Sequence, residues 1–185
     1  ATESETKKPD TSESTYIIDN AHSLIGFSVR HLTISEVHGR FNDFTGTIHY
    51  NEKDVTKSSV EFTAKAASIN TDIKARDEHL RGTDFFDVEK YPELTFKSTR
   101  IESHGQQYLM VGQFTMHGVT KEISFPFQLT NQIKDQRGKT RFGVQAQLTI
   151  NRQDYGISWS KTLDNGGLAV SNEVKIELNF EAIKQ

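Results

Sequence analysis

The sequence predicts an all-β protein: an eight-stranded antiparallel up-and-down barrel, lipocalin-like, with a short helix inserted near residues 72–82. Three observations carry this. Apolar and polar residues alternate with a period of two along most of the chain, as they do in strands with one buried and one wet face. Turn-forming residues interrupt the alternation at hairpin spacing. A single segment breaks the rhythm and shows helical spacing instead.

Residues 1–14, ATESETKKPDTSES, are polar and charged, with one Pro and no aromatic. Nothing in them offsets the entropy of ordering, so they are expected to form a disordered leader, with the barrel domain over 15–185. The first residue is Ala1 and not Met, and a processed N-terminus is the expectation.

The ordered chain is expected to start at Tyr16. Ile25, Phe27, Val29 and His31 then share one face, against Ser28 and Arg30 on the other. A second strand region runs from Val37 to Tyr50. Val60, Phe62, Ala64 and Ala66 alternate with Ser59, Glu61, Thr63 and Lys65, and Leu94 to Ile101 follows. Met110, Gly112, Phe114 and Met116 share a face, as do Ile123, Phe125, Phe127 and Leu129. Phe142, Val144, Ala146, Leu148 and Ile150 repeat the pattern, and Val174, Ile176, Leu178, Phe180 and Ala182 end it. The turns read as Asn51–Asp54, His104-Gly105, His117-Gly118, Arg137-Gly138 and Asp164–Gly167. Closing such a meander into a barrel removes both sheet edges; a two-sheet sandwich shows the same alternation and is the competing architecture.

The exception is TDIKARDEHLRGTDFFDV, residues 71–88. Ile73, Asp77 and Leu80 stand at helical spacing, with Asn70, Thr71 or Asp72 as N-cap and Gly82 as the stop. A turn bearing Phe85 and Phe86 follows. A helix inserted in a barrel is expected to act as a lid or plug, and so to mark the entrance.

Composition narrows the function. The net charge of −3 and pI near 6.2 give no electrostatic reason to expect nucleic acid or an acidic membrane surface as partner. The absence of Cys excludes a disulfide framework, a thiolate metal site and a cysteine nucleophile. No apolar run approaches the roughly 20 residues of a membrane span. There is no GxSxG, HExxH or P-loop, and the His residues at 22, 31, 38, 49, 79, 104 and 117 lack metal-ligand spacing. His38, His104 and His117 each precede a Gly and read as turn residues. No catalytic residue and no metal are therefore expected.

The chain has 12 Phe, most of them on the apolar stripes, where each taken singly is a core residue. Collectively, large flat rings with Gly39, Gly46, Gly112 and Gly143 between them suit an apolar slot, the usual make-up of a ligand cavity. The tail of a ligand is expected against Ile25, Phe27, Val29, Phe41, Phe44, Phe62, Phe85 and Phe86. Phe96, Met110, Phe114, Met116, Phe125, Phe127, Phe142 and Trp159 complete that wall. His31, Asp77, His79 and Arg152 are the candidates for the polar end. His31 is otherwise a hydrogen-bonded core residue, and the run from Arg76 to Arg81 otherwise a solvated helix face. Arg152 is chosen because it precedes Asp154-Tyr155-Gly156, which reads as a rim loop near Trp159.

Several motifs carry a resemblance. They are Tyr16-Ile17-Ile18-Asp19 through His22-Ser23-Leu24-Ile25-Gly26-Phe27-Ser28-Val29-Arg30-His31, and Val37-His38-Gly39-Arg40-Phe41 through Gly46. Asp77-Glu78-His79-Leu80-Arg81-Gly82-Thr83-Asp84-Phe85-Phe86-Asp87 followed by Tyr91-Pro92-Glu93-Leu94-Thr95-Phe96 is the strongest piece. Leu109 to Lys121 and Arg152 to Ile157 complete the pattern, so the match covers roughly Tyr16 to Ile183. The sequence is similar to the YceI-like family of bacterial lipid-binding barrel proteins, with Tyr16 where the family often has Trp. The resemblance implies a lipocalin-like cavity and a periplasmic or otherwise extracytoplasmic location. It implies a non-covalently bound polyisoprenoid, isoprenoid quinone or other long-chain lipid that is carried or stored, with no other cofactor and no catalytic residues. The expected partner is this small-molecule lipid, bound by a monomer or homodimer. Two other functions stay open: an extracellular interaction module with a filled barrel core, and an enzyme acting on an isoprenoid or fatty ligand. In the latter His31 would be the acid–base group, with a carboxylate in hydrogen-bond reach.

Overall fold

The computed structural model describes residues 13–32, 34–159 and 170–185. The leader up to residue 12 and the Asp164–Gly167 turn lie outside the described residues. The strand segments are β1 (Glu13–Ile18), β2 (Leu24–His31), β3 (Ser35–Phe41), β4 (Phe44–Asn51), β5 (Ser59–Lys65) and β6 (Ile69–Asn70). They continue with β7 (Glu93–His104), β8 (Gln107–Met116), β9 (Val119–Leu129), β10 (Ile133–Lys134), β11 (Thr140–Asn151) and β12 (Glu173–Lys184). One α-helix, α1 (Lys74–Arg81), lies between β6 and β7.

Six of these segments, β1 to β6, are halves of longer strands. β1 pairs with β4 and β2 with β3, so residues 13–31 and 35–51 form one long antiparallel hairpin, each arm broken once. The β5–β6 strand runs alongside in the same way, β5 on β4 and β6 on β3. Counted so, three broken strands and the continuous β7, β8, β9, β11 and β12 make eight, each beside its sequence neighbour. The ring closes because β12 pairs on one side with β11 and on the other with β1 and β2. The architecture is the closed eight-stranded meander, and closure leaves neither a sandwich nor a long free edge.

The breaks have local causes. Between β1 and β2, Asp19 caps a 3-10 turn over Asn20–His22, its Oδ1 accepting from the Ala21 N–H at 3.1 Å. The chain from Val37 to Tyr50 is not one strand but bends at Asn42-Asp43, where β3 gives way to β4. His117 and Gly118 both have positive φ, +54° and +73°, and join β8 to β9 as a two-residue turn of the kind that matches strand twist. His38-Gly39, by contrast, sits inside β3 rather than in a turn. β1 also takes in Glu13 and Ser14, opposite Asn51 and Tyr50 of β4, so the ordered domain begins before residue 15.

The helix occupies the expected place but is capped differently. Ile73 is its N-cap and offers no side-chain hydrogen bond, while Asn70 accepts from the Asp72 N–H in a separate turn. Gly82 follows the last turn, its N–H donating to His79 O at 3.1 Å. The half of the barrel that holds Tyr16 is filled by rings. Tyr16, fully buried, meets Phe142 edge-on at 4.6 Å and Tyr50 at 5.9 Å, and its hydroxyl accepts from Gln132 Nε2.

Candidate functional site

The other half of the barrel is hollow. A cavity of about 270 Å³ lies under α1, just below the range usual for ligand pockets. The pleat places Ile25, Phe27 and Val29 of β2 on its wall with Phe114 and Met116 of β8, Ile123 and Phe125 of β9, Leu148 and Ile150 of β11, and Val174, Ile176 and Leu178 of β12. Phe41 and Phe62 complete that ring. The helix and the turn after it contribute Arg76, His79, Leu80, Phe85 and Phe86, and the β11–β12 connection contributes Arg152, Ile157, Trp159 and Val170.

A layer of rings forms the floor. Phe62 stacks on Phe96 with centroids 5.3 Å apart, and Phe96 meets Phe125 at 5.5 Å. The same three residues border a second void of about 40 Å³, bounded on its far side by Met110, Phe127 and Phe142 among others. The hollow is thus divided, with a main chamber under the helix and a small one towards the Tyr16 end.

The expected tail residues separate along this axis. Ile25, Phe27, Val29, Phe41, Phe62, Phe85, Phe86, Phe96, Phe114, Met116, Phe125 and Trp159 border the main cavity. Met110, Phe127 and Phe142 border only the small void. Phe44 borders neither; it is core, with its ring 6.1 Å from Phe180. The interspersed glycines do not open the slot as expected. A Cβ on Gly39 would lie 2.4 Å from Phe27 Cζ, and one on Gly112 would lie 2.6 Å from Phe96 Cζ. These glycines seat aromatic rings against the sheet.

The polar candidates also divide. His31 borders the cavity at the exposed end of β2. His79 borders it too, with Nε2 2.9 Å from Asp84 Oδ2 and its ring edge-on to Phe85 at 5.0 Å and to Trp159 at 5.4 Å. Arg152 is 3% exposed. Its Nε donates to Ser171 O at 2.9 Å, Nη1 to Ile157 O at 3.0 Å and Nη2 to Val170 O at 3.3 Å. Burial lowers its pKa from the ordinary arginine value, yet a guanidinium stays charged in such a site. Asp77 is the exception among the four. It is buried but stands away from the cavity, its Oδ1 accepting from both the Thr71 N–H and the Thr71 hydroxyl.

Arg30 and Arg76 were not among the expected head-group residues. Arg30 was expected to face outward, but at the mouth of a barrel both faces of a strand end border the opening. Arg76 had a readable signal: Arg76, His79 and Leu80 stand at i, i+3 and i+4, on one helix face.

Elsewhere, ligand atoms of Asp19, His22 and Glu181 lie within 4.8 Å of one another. Arg141 Nη1 sits 3.0 Å from Asp19 and 3.6 Å from Glu181, so the group already has its cation. No helix among the described residues is long and apolar enough to cross a membrane.

The chain matches the YceI-like domain over residues 16–182. It is 35% identical over 167 residues to a UPF0312 protein of Pectobacterium atrosepticum, covering 90% of this chain and 84% of the relative. It superposes on the crystal structure of the YceI protein of Campylobacter jejuni with a TM-score of 0.73 at 30% identity, covering 90% and 96% of the two chains. A polyisoprenoid-binding domain from Saccharophagus degradans, 18% identical, shares the fold with a TM-score of 0.69 over 92% and 98%. With the closed eight-stranded barrel, its single helix and a match along nearly the whole ordered chain, the protein belongs to the YceI family.

Proposed function

We propose that the protein binds a long-chain amphipathic lipid, of polyisoprenoid or isoprenoid-quinone type, and carries or stores it outside the cytoplasm. The observation that carries this is the chamber beneath α1: an apolar wall contributed by strands around the barrel, floored by rings, with the ionisable side chains among its described lining residues at the helix end. A chamber with such a wall gains free energy from a hydrocarbon occupant, whose apolar surface is removed from water. Each CH₂ buried contributes about 0.8 kcal/mol. Association and ordering remove several kcal/mol or more of the gross gain. A dozen carbons therefore suffice for useful affinity, and the head group need only set direction. The polyisoprenoid-binding description of the Saccharophagus neighbour supports the same ligand class. The extracytoplasmic location rests on the family resemblance.

Against the alternative of a filled-core interaction module stands the chamber itself. The enzymatic alternative needs an acid beside His31. Among the described residues no carboxylate forms an ion pair with it, whereas His22, His38, His49, His79 and His104 each have one.

Native mass spectrometry of freshly purified protein, combined with organic extraction, tests the carrier function. A co-purified lipid, or uptake of added polyprenyl or quinone tails, is the expected result. The absence of both overturns it.

A further inference from the structure

Among the described residues, the ionisable side chains that border the main cavity are Arg30, His31, Arg76, His79 and Arg152, and no Asp or Glu is with them. Such one-sidedness is unusual in a protein whose net charge is −3. Two of these residues carry the argument. Arg152 is buried, and among the described residues its partners are three main-chain carbonyls and the amide oxygen of Asn172 at 3.5 Å, none of them charged. Arg76 is half-buried and among the described residues is held by Thr71, Nε to the hydroxyl at 2.8 Å and Nη2 to the carbonyl oxygen at 2.7 Å. Neither forms an ion pair with an acid among the described residues, while Arg100 and Arg141 each do. The carboxylate next to Arg76, Asp77, is committed to Thr71.

Two guanidinium groups beside an apolar chamber leave an electrostatic asymmetry. A cation removed from water without a counter-charge is costly, and its attraction for an anion grows as the local dielectric falls. The Thr71 contacts engage Nε and Nη2 of Arg76, and among the described residues Nη1 has no hydrogen bond. A guanidinium so placed suits carboxylate and phosphate oxygens, which accept its parallel N–H groups. His79 adds less, since Asp84 already faces its Nε2.

We propose that the lipid held in this cavity has an anionic head, a carboxylate or a phosphate, paired by Arg76 at the mouth in the field of the buried Arg152. This deepens the lipid-binding function and rests on it. A neutral head such as a quinone or an alcohol would leave both cations without a counter-charge.

The test is a matched set with one tail: dodecanoic acid, dodecyl phosphate and dodecanol, titrated at pH 8 and low salt into delipidated protein. The acid or the phosphate is expected to bind about tenfold or more tighter than the alcohol, about 1.4 kcal/mol. Whichever of the two is tighter identifies the head. Arg76→Met is expected to bring the ratio close to one, and Arg76→Lys to keep part of the preference. Equal affinities for the three ligands, or a preference that survives Arg76→Met, overturn the anionic head and leave lipid binding standing. If none of the three binds, nor any longer polyprenyl chain, lipid binding itself falls. Should Arg76→Met also lose dodecanol, salt titration of the unaltered protein decides. The acid's affinity must then drop with salt while the alcohol's does not.

Discussion

Asp77 in the first turns of α1 accepts two hydrogen bonds from Thr71, one from the main-chain N–H at 2.9 Å and one from the hydroxyl. The same hydroxyl accepts from Arg76 Nε, so one threonine locks the helix start and aims a cavity arginine together. Asp77→Ala would strand a buried N–H and a buried hydroxyl. The expected cost is about 1–3 kcal/mol, read as a lower urea midpoint with an unchanged m-value. A second expected effect is weaker discrimination between dodecanoic acid and dodecanol, because Arg76 loses its positioning.

The floor of the cavity predicts a chain-length effect. Phe96 separates the main chamber from the small void and is 2% exposed. Phe96→Ala should join the two at a cost of about 3–5 kcal/mol. Among n-alkyl ligands of increasing length, the tightest binder should then shift to a longer chain. An unchanged optimum would show that the ring layer does not limit the tail; Phe125→Leu tests the same point at a smaller cost.

Gly39 predicts a steric coupling across the β2–β3 pair. Gly39 faces Phe27 in register, and an added Cβ would come within 2.4 Å of that ring. Gly39→Ala is expected to destabilise by about 1–3 kcal/mol through overpacking. Thr71 Cγ2, 2.9 Å from the same position, limits the relief available. Combining Gly39→Ala with Phe27→Ala should therefore cost less than the sum of the two, in a double-mutant cycle read by thermal or urea unfolding.

Arg141 predicts the shape of acid unfolding. It bonds Asp135 at 2.7 Å and Asp19 at 3.0 Å. Asp19 is held below the ordinary carboxylate value, first by its hydrogen bond to His22 and then by Arg141; Asp135 is held low first by Arg141. A lowered folded-state pKa stabilises above the unfolded value of about 3.9 and is lost as pH falls through the folded value. Arg141→Met should thus lower stability at neutral pH and flatten its decline below about pH 4. His22, raised chiefly by Asp19, works in the other direction. Its contribution is present below about 6.5 and fades as pH rises through the folded value. His22→Ala should remove that alkaline fade, measured as chemical stability between slightly acidic and slightly basic buffers.

Much of the barrel is legible in the chain because a strand's facing is a local property. Ile25, Phe27 and Val29 alternate with polar neighbours, and a period of two admits one assignment of faces. The helix is legible for a similar reason, since Ile73, Asp77 and Leu80 stand at helical spacing and Gly82 follows as the stop. β1 is less so. Its segment opens on Glu13, Ser14 and Thr15, which extend as a strand because Asn51, Tyr50 and His49 of β4 lie opposite. Alternation and turn spacing by themselves therefore determine an antiparallel meander with an apolar interior and a helix that interrupts it.

The tertiary structure decides depth and company. Phe44, Met110 and Phe114 are equally apolar and equally buried, yet one is core, one borders the small void and one borders the chamber. Their difference is a height along the barrel axis, set by strand stagger, which a two-residue period does not encode. Likewise Asp77 reads as a head-group carboxylate until Thr71 turns it away, and the cavity mouth is left to the arginines. A side chain's charge is written in the sequence; the counter-charge it meets depends on contacts between distant segments.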